Sequence, residues 1–208
     1  MDEKLDSKEE LYFKWFVEEL LAYEVITGYK YHPKPFLLSP GFDYEVHNKV
    51  KPTNKSRVLS LLQDHEYTAD FILNWTPKLK GILWEPISSV HYDNLKNFQF
   101  LANYNKSLDI FYSVIDIKGS FVGPHNTTGI TFPLNQKWVW AMYNVYINKI
   151  VTHPRLTKVG NSIPSNALFL KTFVPERFLL TDKDLTPRAI HYRKRTIAQY
   201  LIDVLRLE

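Results

Sequence analysis

The chain contains no cysteine, which excludes disulfide bonds and metal sites built on thiolate ligands. It also has no apolar run near the roughly 18 to 20 residues that a membrane-spanning helix needs. Its first ten residues, MDEKLDSKEE, are charged where a signal peptide would be apolar. We therefore expect a cytoplasmic protein without membrane contact.

Several common catalytic motifs are missing as well. No GxxxxGK[ST] or GxGxxG is present, so the sequence gives no support for a nucleotide cofactor. The seven histidines form neither an HExxH pattern nor an i, i+4 pair, which argues against a histidine metal site. There is no GxSxG motif to present a nucleophilic serine.

What the chain does contain is enough apolar and aromatic material for one core. Hydrophobic residues make up 45% and aromatic residues 15% of 208 residues, so we expect residues 1–208 to form a single domain that folds without a partner. The net charge is +4, and basic residues gather at 49–57, 149–158 and 188–195. This distribution permits a polyanionic partner but does not require one.

Hydrophobic periodicity predicts a mixed α/β (α+β) chain with a central sheet flanked by helices. A first helix is expected over 8–24, with Ser7 and Glu10 forming a capping box. We predict strands at 31–38, 44–50, 58–62, 67–75, 108–118 and 167–174, a helix at 135–149, and a basic C-terminal helix at about 187–207. The segment 76–107 is interpreted as an insertion or lid with a short helix at 93–104.

Two acidic residues stand inside apolar strand-like runs. Asp70 follows Tyr67-Thr-Ala and precedes Phe-Ile-Leu, and Asp116 lies between Ile115 and Ile117. Burying a carboxylate is costly without a partner, and a shared cation would explain both acids. Side chains two apart on a strand share a face, so Asp116 and Lys118 should point the same way.

The Asp-x-Lys pattern alone is weak, because it also occurs at Asp2/Lys4 and Asp6/Lys8. Only Asp116/Lys118 ends an apolar strand. The alternative interpretation is a simple ion pair at a strand end.

Taken in order, these pieces resemble the PD-(D/E)XK nuclease superfamily, and in particular its phage-type, Holliday-junction-resolvase-like and transposase-endonuclease-like members. The matching segments are Ser7-Lys-Glu-Glu10, Tyr31-His-Pro-Lys-Pro-Phe-Leu-Leu38, Tyr67-Thr-Ala-Asp-Phe-Ile72, Val114-Ile-Asp-Ile-Lys-Gly119 and Gln136-Lys137. Ala69 replaces the usual proline, and the two acids are further apart than a short hairpin allows. If 76–107 continued the sheet, the pairing of the acids would be in doubt.

The resemblance implies a restriction-endonuclease-like core and a metal-dependent endodeoxyribonuclease that acts on DNA, including branched DNA such as Holliday junctions in phage replication, recombination or packaging. It implies that Asp70 and Asp116 hold Mg²⁺ or Mn²⁺, with the Ile117 carbonyl as a further ligand, and that Lys118 acts on the attacking water or the phosphate. Glu10 matches an acid that many members place on the first helix. A phage-encoded chain would work in the cytoplasm of its bacterial host.

Other assignments leave alternatives open. Glu10 could serve only as a helix cap, and Gln136 and Lys137 could face a phosphate or simply begin a helix. Arg193, Lys194 and Arg195 could contact DNA or form a solvated helix face, and the same helix could serve a homodimer. Trp138 and Trp140 are expected in the core. The alternative functions are a non-catalytic nucleic-acid-binding module and a nuclease subunit active only within a recombination or transposition complex.

Overall fold

The computed structural model describes residues 5–47, 56–89, 98–119, 128–153, 167–180, 187–188, 190 and 192–205. Its helices are α1 (Lys8–Ala22), α2 (Thr128–Tyr143), α3 (Leu168–Lys171) and α4 (Ile197–Leu205). Its strands are β1 (Ile26–Tyr31), β2 (Phe36–Ser39), β3 (Phe42–His47), β4 (Ser56–Leu62), β5 (His65–Tyr67), β6 (Phe71–Trp75), β7 (Trp84–Pro86), β8 (Phe100–Asn105), β9 (Ile110–Ile117) and β10 (Ile147–Ile150). No helix in these ranges is both long and apolar enough to cross a membrane.

Six strands form one mixed sheet in the order β1-β6-β9-β8-β7, with β10 also paired to β9. The pairs β1/β6, β6/β9 and β8/β9 are antiparallel, whereas β7/β8 and β10/β9 are parallel. The predicted mixed sheet flanked by helices is confirmed, and the predicted central strand is β9. Two further two-stranded sheets, β2/β5 and β3/β4, lie outside the main sheet.

Alternation along β9 places the two core clusters on opposite faces of the sheet. Ile115 and Ile117 belong to the larger cluster, with the apolar side of α1 and residues of α3 and α4. Val114 belongs to the smaller cluster, with residues of α2 and β10. Asp116 alternates with Ile115 and Ile117 and therefore lies on the α2 face.

Aromatic side chains dominate the larger cluster. Phe16 is fully buried in α1 and stacks on Phe173 with ring centroids 4.3 Å apart. Phe16 also meets Phe13, Phe100 and Phe169, with centroid distances between 6.0 and 6.4 Å. This one side chain thus joins α1 to the sheet and to the segment after β10.

On one edge, strand β9 changes its partner between residues 112 and 114, and we call this position the fork. Residues 110–112 pair with β8, whereas residues 114–117 pair with β10 on the same edge. The Asn148 amide donates to Leu101 O at 2.9 Å and accepts from Leu101 N at 2.8 Å. Asn103 Oδ1 accepts the N–H of Tyr146 at 2.7 Å. Two buried side-chain amides therefore satisfy backbone groups where the ladder between strands is interrupted.

The first helix and its capping box are confirmed. Ser7 Oγ accepts the N–H of Glu10 at 3.1 Å, and its hydroxyl donates to Glu10 Oε1 at 2.7 Å. The helix ends at Ala22, two residues before the predicted end.

The described part of the segment 76–107 continues the main sheet. It contributes β7 and β8 to the main sheet, and the predicted helix at 93–104 is wrong over 100–104 because β8 lies there. Residues 93–97 of that prediction lie outside the described residues. The predicted strand 67–75 is not one continuous strand. Strand β5 ends at Tyr67, β6 begins at Phe71, and Asp70 lies just before β6.

The helix predicted at 135–149 is displaced toward the N-terminus. It spans Thr128–Tyr143, and Asn144 follows it with φ of 53° and an N–H bonded to Trp140 O, a left-handed conformation that ends helices. The remaining residues enter β10. Trp138 and Trp140 were expected in the core, but they are 39% and 43% exposed.

Two predictions near the C-terminus are wrong. The strand expected at 167–174 begins with the single helical turn of α3, since a short apolar run fits a buried helix equally well. The helix expected at about 187–207 begins only at Ile197, because Thr196 and Gln199 form a capping box with bonds of 3.0 and 3.3 Å. Residues 206–208 lie outside the described residues.

Candidate active site

Several elements meet at one end of the main sheet. Because β6 and β9 are antiparallel, the residue before β6 lies beside the end of β9. Strand β10 is parallel to β9 and ends there too, with the Lys118 N–H bonded to Ile150 O at 2.8 Å. The first turn of α1 reaches the same end, since a Cβ on Gly119 would lie 4.0 Å from Glu9 Oε1.

Asp70 lies at this end and is tied directly to the end of β9. Its Oδ2 accepts the backbone N–H of Ile117 at 2.5 Å, and its own N–H donates to Ile115 O at 3.0 Å. The backbone N–H of His32, after β1, donates to Asp70 O at 2.9 Å. Although 76–107 continues the sheet, the predicted proximity of Asp70 to Asp116 is present.

Asp116 is only 2% exposed, and its two oxygens have different surroundings. Oδ2 accepts the hydroxyl of Tyr67 in a short hydrogen bond. Oδ1 is in close ionic contact with the Lys118 ammonium, yet it is buried and accepts no hydrogen bond of regular geometry from the described residues. Asp116 and Lys118 therefore face the same way, as predicted.

The lysine side of the site contains a second ammonium group. Lys118 Nζ lies 5.5 Å from the centroid of the buried Phe132 ring of α2, and Lys149 Nζ lies 5.6 Å from the same centroid. Lys149 stands opposite Asp116 in the β10/β9 register. Both distances are within the range of cation–π attraction.

Burial and like charges raise the pKa of Asp70 from 3.8 to about 7. Burial is the largest cause; the Ile117 N–H and Lys118 oppose it, while the charges of Asp116 and Glu10 add to it. Burial also raises the pKa of Tyr67 well above its usual range, with Asp116 contributing, so its hydroxyl remains a donor. The negative charges of Asp116 and Glu10 around the largely buried Asp70 thus favour an added positive charge.

Glu10 caps α1 and makes further hydrogen bonds in the same place. It is 7% exposed; besides its bond to Ser7, its Oε2 accepts the Tyr31 hydroxyl at 2.6 Å and the Asp6 N–H at 3.2 Å. Its charge acts on Asp70, and its carboxylate also groups with Asp6 and His32, with ligand atoms within 4.8 Å of one another. The capping interpretation is confirmed, and a role in metal binding stays a prediction.

The donor set suits a hard divalent cation. The carboxylates of Asp70 and Asp116 lie at this end of β9, and the Ile117 carbonyl lies between the two residues of the Asp-x-Lys pair. Glu10 acts on Asp70 through its charge, whereas its closest group of potential ligands among the described residues is with Asp6 and His32. The buried Oδ1 of Asp116, which accepts no regular hydrogen bond from described residues, has ligating capacity left. Oxygen ligands of this kind bind Mg²⁺ or Mn²⁺.

The predicted phosphate-facing residues of α2 lie elsewhere than expected. Gln136 is in the middle of the helix, not at its start, and its Nε2 donates to Ile147 O at 2.6 Å. It therefore holds α2 against β10. The neighbouring Lys137 is exposed.

The basic residues near the C-terminus precede α4 instead of lying on it. Arg193 and Arg195 contact Asp203 at 3.0 and 3.6 Å, and Arg195 also donates to Lys171 O at 3.2 Å. These contacts hold the segment before α4 against Asp203 of α4 and against Lys171 of α3. Lys194 is exposed.

Sequence reasoning missed Tyr67 and Lys149 as members of the site. Tyr67 lies in the segment Tyr67-Thr-Ala-Asp-Phe-Ile72, where its pattern predicts only an ordinary strand residue, and Lys149 falls within the helix predicted at 135–149. Correct placement of β10 beside β9 would have revealed Lys149, because alternation puts it on the face of Asp116. No family model, no curated protein and no solved structure matches this chain.

Proposed function

We propose that the chain is a metal-dependent endodeoxyribonuclease of the PD-(D/E)XK type with a restriction-endonuclease-like core. The observation that carries this proposal is the contact of Asp70 with the end of β9, beside the buried Asp116/Lys118 pair. An acid on one strand and an acid-x-Lys on its neighbour is the arrangement expected for metal-assisted hydrolysis of phosphodiesters.

In this proposal, Asp70 and Asp116 hold Mg²⁺ or Mn²⁺, with Glu10 and the Ile117 carbonyl as further ligands. The bound cation would supply a water nucleophile at neutral pH and charge neutralisation at the phosphate. In the reaction, the water oxygen forms a bond to phosphorus while the bond from phosphorus to one ester oxygen breaks. Lys118, in contact with Asp116, orients that water or stabilises the phosphate charge.

DNA is the proposed substrate because the site combines its acids with two lysines at one end of the sheet. The ammonium of Lys149 shares the Phe132 ring with that of Lys118, so both lie on the α2 side of the site. Phosphate groups of a nucleic-acid backbone are natural partners for such lysines. The net charge of +4 agrees with a polyanionic substrate.

The test is cleavage of a labelled four-way junction, a linear duplex and a single strand by the full chain with Mg²⁺, Mn²⁺ or EDTA. We expect cutting with either cation and none with EDTA, and the preferred substrate will show whether branched DNA is the target. Asp116→Asn protein purified in parallel should not cut, which excludes a contaminating nuclease. If folded wild type cuts nothing, the chain is instead a binding module or a subunit that needs a partner.

The two roles of Glu10 can be separated by a pair of variants. Ser7→Ala should lower the free energy of unfolding by about 1 kcal/mol while cleavage continues, because it removes the two hydrogen bonds between Ser7 and Glu10 but leaves the Glu10 carboxylate in place. Glu10→Gln should keep most of the cap, since glutamine also serves in a capping box, but should reduce cleavage by removing a carboxylate. Thermal unfolding and cleavage rates measure the two effects. A Glu10→Gln variant that cuts at the wild-type rate would leave Glu10 as a cap alone.

A further inference from the structure

Tyr67 is a buried residue at the end of β5, and its ring is 8% exposed. The ring belongs to the smaller core cluster, together with Leu38, Ala69, Val114 and Phe132. Because packing fixes the ring, the direction of its hydroxyl toward Asp116 Oδ2 is also fixed. The bond is therefore part of the fold and not a contact between mobile surface groups.

The two oxygens of Asp116 are consequently unequal. Oδ2 already accepts the Tyr67 hydroxyl, whereas Oδ1 is buried without a regular hydrogen bond among the described residues and faces Lys118. A cation that used both oxygens would have to share Oδ2 with the phenol. A cation that used one oxygen would bind Oδ1, where it would replace the Lys118 ammonium and would not compete with the phenol.

We propose that Tyr67 is a positioning residue that restricts Asp116 to one-oxygen ligation through Oδ1 and so favours Mg²⁺ and Mn²⁺ over Ca²⁺. The inference rests on the proposed metal site. Mg²⁺ takes few protein ligands in near-ideal octahedral geometry, whereas Ca²⁺ takes 6 to 8 oxygens and often binds a carboxylate through both. Hydrogen bonds to ligating carboxylates also strengthen metal binding, with losses of about 10- to 100-fold when they are removed.

The experiment compares wild type, Tyr67→Phe and Tyr104→Phe in calorimetric titrations with Mg²⁺, Mn²⁺ and Ca²⁺. Phenylalanine keeps the buried ring and removes only the hydroxyl. Tyr104 is the matched control, because its hydroxyl donates to an exposed aspartate, Asp109 Oδ1, at 2.6 Å outside the site. Thermal unfolding of all three proteins verifies that they are folded.

We expect Tyr67→Phe to weaken Mg²⁺ binding by about tenfold or more and Ca²⁺ binding by less, so that the preference for Mg²⁺ over Ca²⁺ falls. Tyr104→Phe should match wild type. A purely structural role for Tyr67 would change thermal stability without changing this preference. An unchanged ratio of the two affinities in folded Tyr67→Phe would overturn the inference.

A crystal structure of wild type with Mn²⁺ provides a second measurement that does not depend on the variant. One Asp116 oxygen on the cation supports the inference, and two oxygens overturn it. If wild type binds none of the three cations, the proposed nuclease site fails along with the inference. If wild type binds Mg²⁺ but the Tyr67 variant keeps its preference, only the role of Tyr67 fails.

Discussion

Asp116→Asn is expected to reduce metal-dependent DNA cleavage by on the order of 10³-fold, because a bound metal contributes several kcal/mol and each 1.36 kcal/mol is tenfold in rate. The substitution keeps the shape of the side chain at a buried position. It removes the charge that would hold the cation and that now pairs with Lys118. Cleavage kinetics at saturating Mg²⁺, together with calorimetric Mg²⁺ titration, measure the effect.

Lys118→Met tests the other half of the same pair and should separate cleavage from metal binding. Cleavage should fall by on the order of 10² to 10⁴, the usual contribution of a group that acts on the water or the phosphate. Metal affinity should be unchanged or higher, because the Lys118 ammonium competes with a cation for Asp116. Loss of metal binding in this variant would contradict the separate roles assigned to the two residues.

The chain offers matched controls for both variants. Asp43→Asn removes an exposed carboxylate from β3, which pairs with β4 outside the main sheet. Lys80→Met removes an ammonium that lies 5.9 Å from the Phe111 ring near the opposite end of β9, a contact similar to that of Lys118 with Phe132. Both should cut at nearly the wild-type rate. A comparable loss in either control would show that the effect is not specific to the site.

Phe16→Ala is expected to lower the free energy of unfolding by about 3 to 5 kcal/mol, the range for removing a large aromatic side chain from a core. Phe16 is fully buried and stacks on Phe173 while contacting rings from β8 and α3. The cavity would lie where three parts of the fold meet, so little of it can be refilled by relaxation. Urea unfolding followed by circular dichroism measures the change, and the melting temperature should fall by on the order of 10 °C.

Phe42→Ala is the control for this prediction, because Phe42 is 53% exposed on β3. Its effect should stay within about 0.5 kcal/mol, as for most surface substitutions. Equal losses in the two variants would mean that the ring cluster around Phe16 does not hold the fold together.

The sequence predicted the elements that carry their own local signals. The capping box at Ser7 and Glu10 located α1, and the largely apolar run before Gly119 located β9. Asp70 and Asp116 stood out because each is a charge within an apolar strand. Their proximity followed from the assumption that the two strands are neighbours, and in the structure β6 and β9 are paired.

What the sequence could not predict depends on contacts between distant segments or on backbone conformation. The end of α2 is set by the left-handed conformation of Asn144, and periodicity does not reveal that angle. The register that places Lys149 opposite Asp116 arises only when β10 adds to β9. The bond from Tyr67 to Asp116 likewise requires the turn between β5 and β6, which a single strand over 67–75 would not make.

The fork in β9 explains how two residues so far apart in the chain can share one site. Strand β8, in the segment 76–107, pairs with residues 110–112 of β9, whereas the half of β9 that ends in Asp116 is held by β6 and β10. Asn103 and Asn148 connect β8 with β10 beside the fork, because the Asn148 amide bonds to the backbone of Leu101 and the Asn103 amide bonds to the backbone of Tyr146. The hydrogen-bonded ladder beside the acids is therefore separate from the pairing of β8 with β9. Among the described residues β7 pairs with β8 and not with β9, so it contributes no hydrogen bond to the ladder beside the acids.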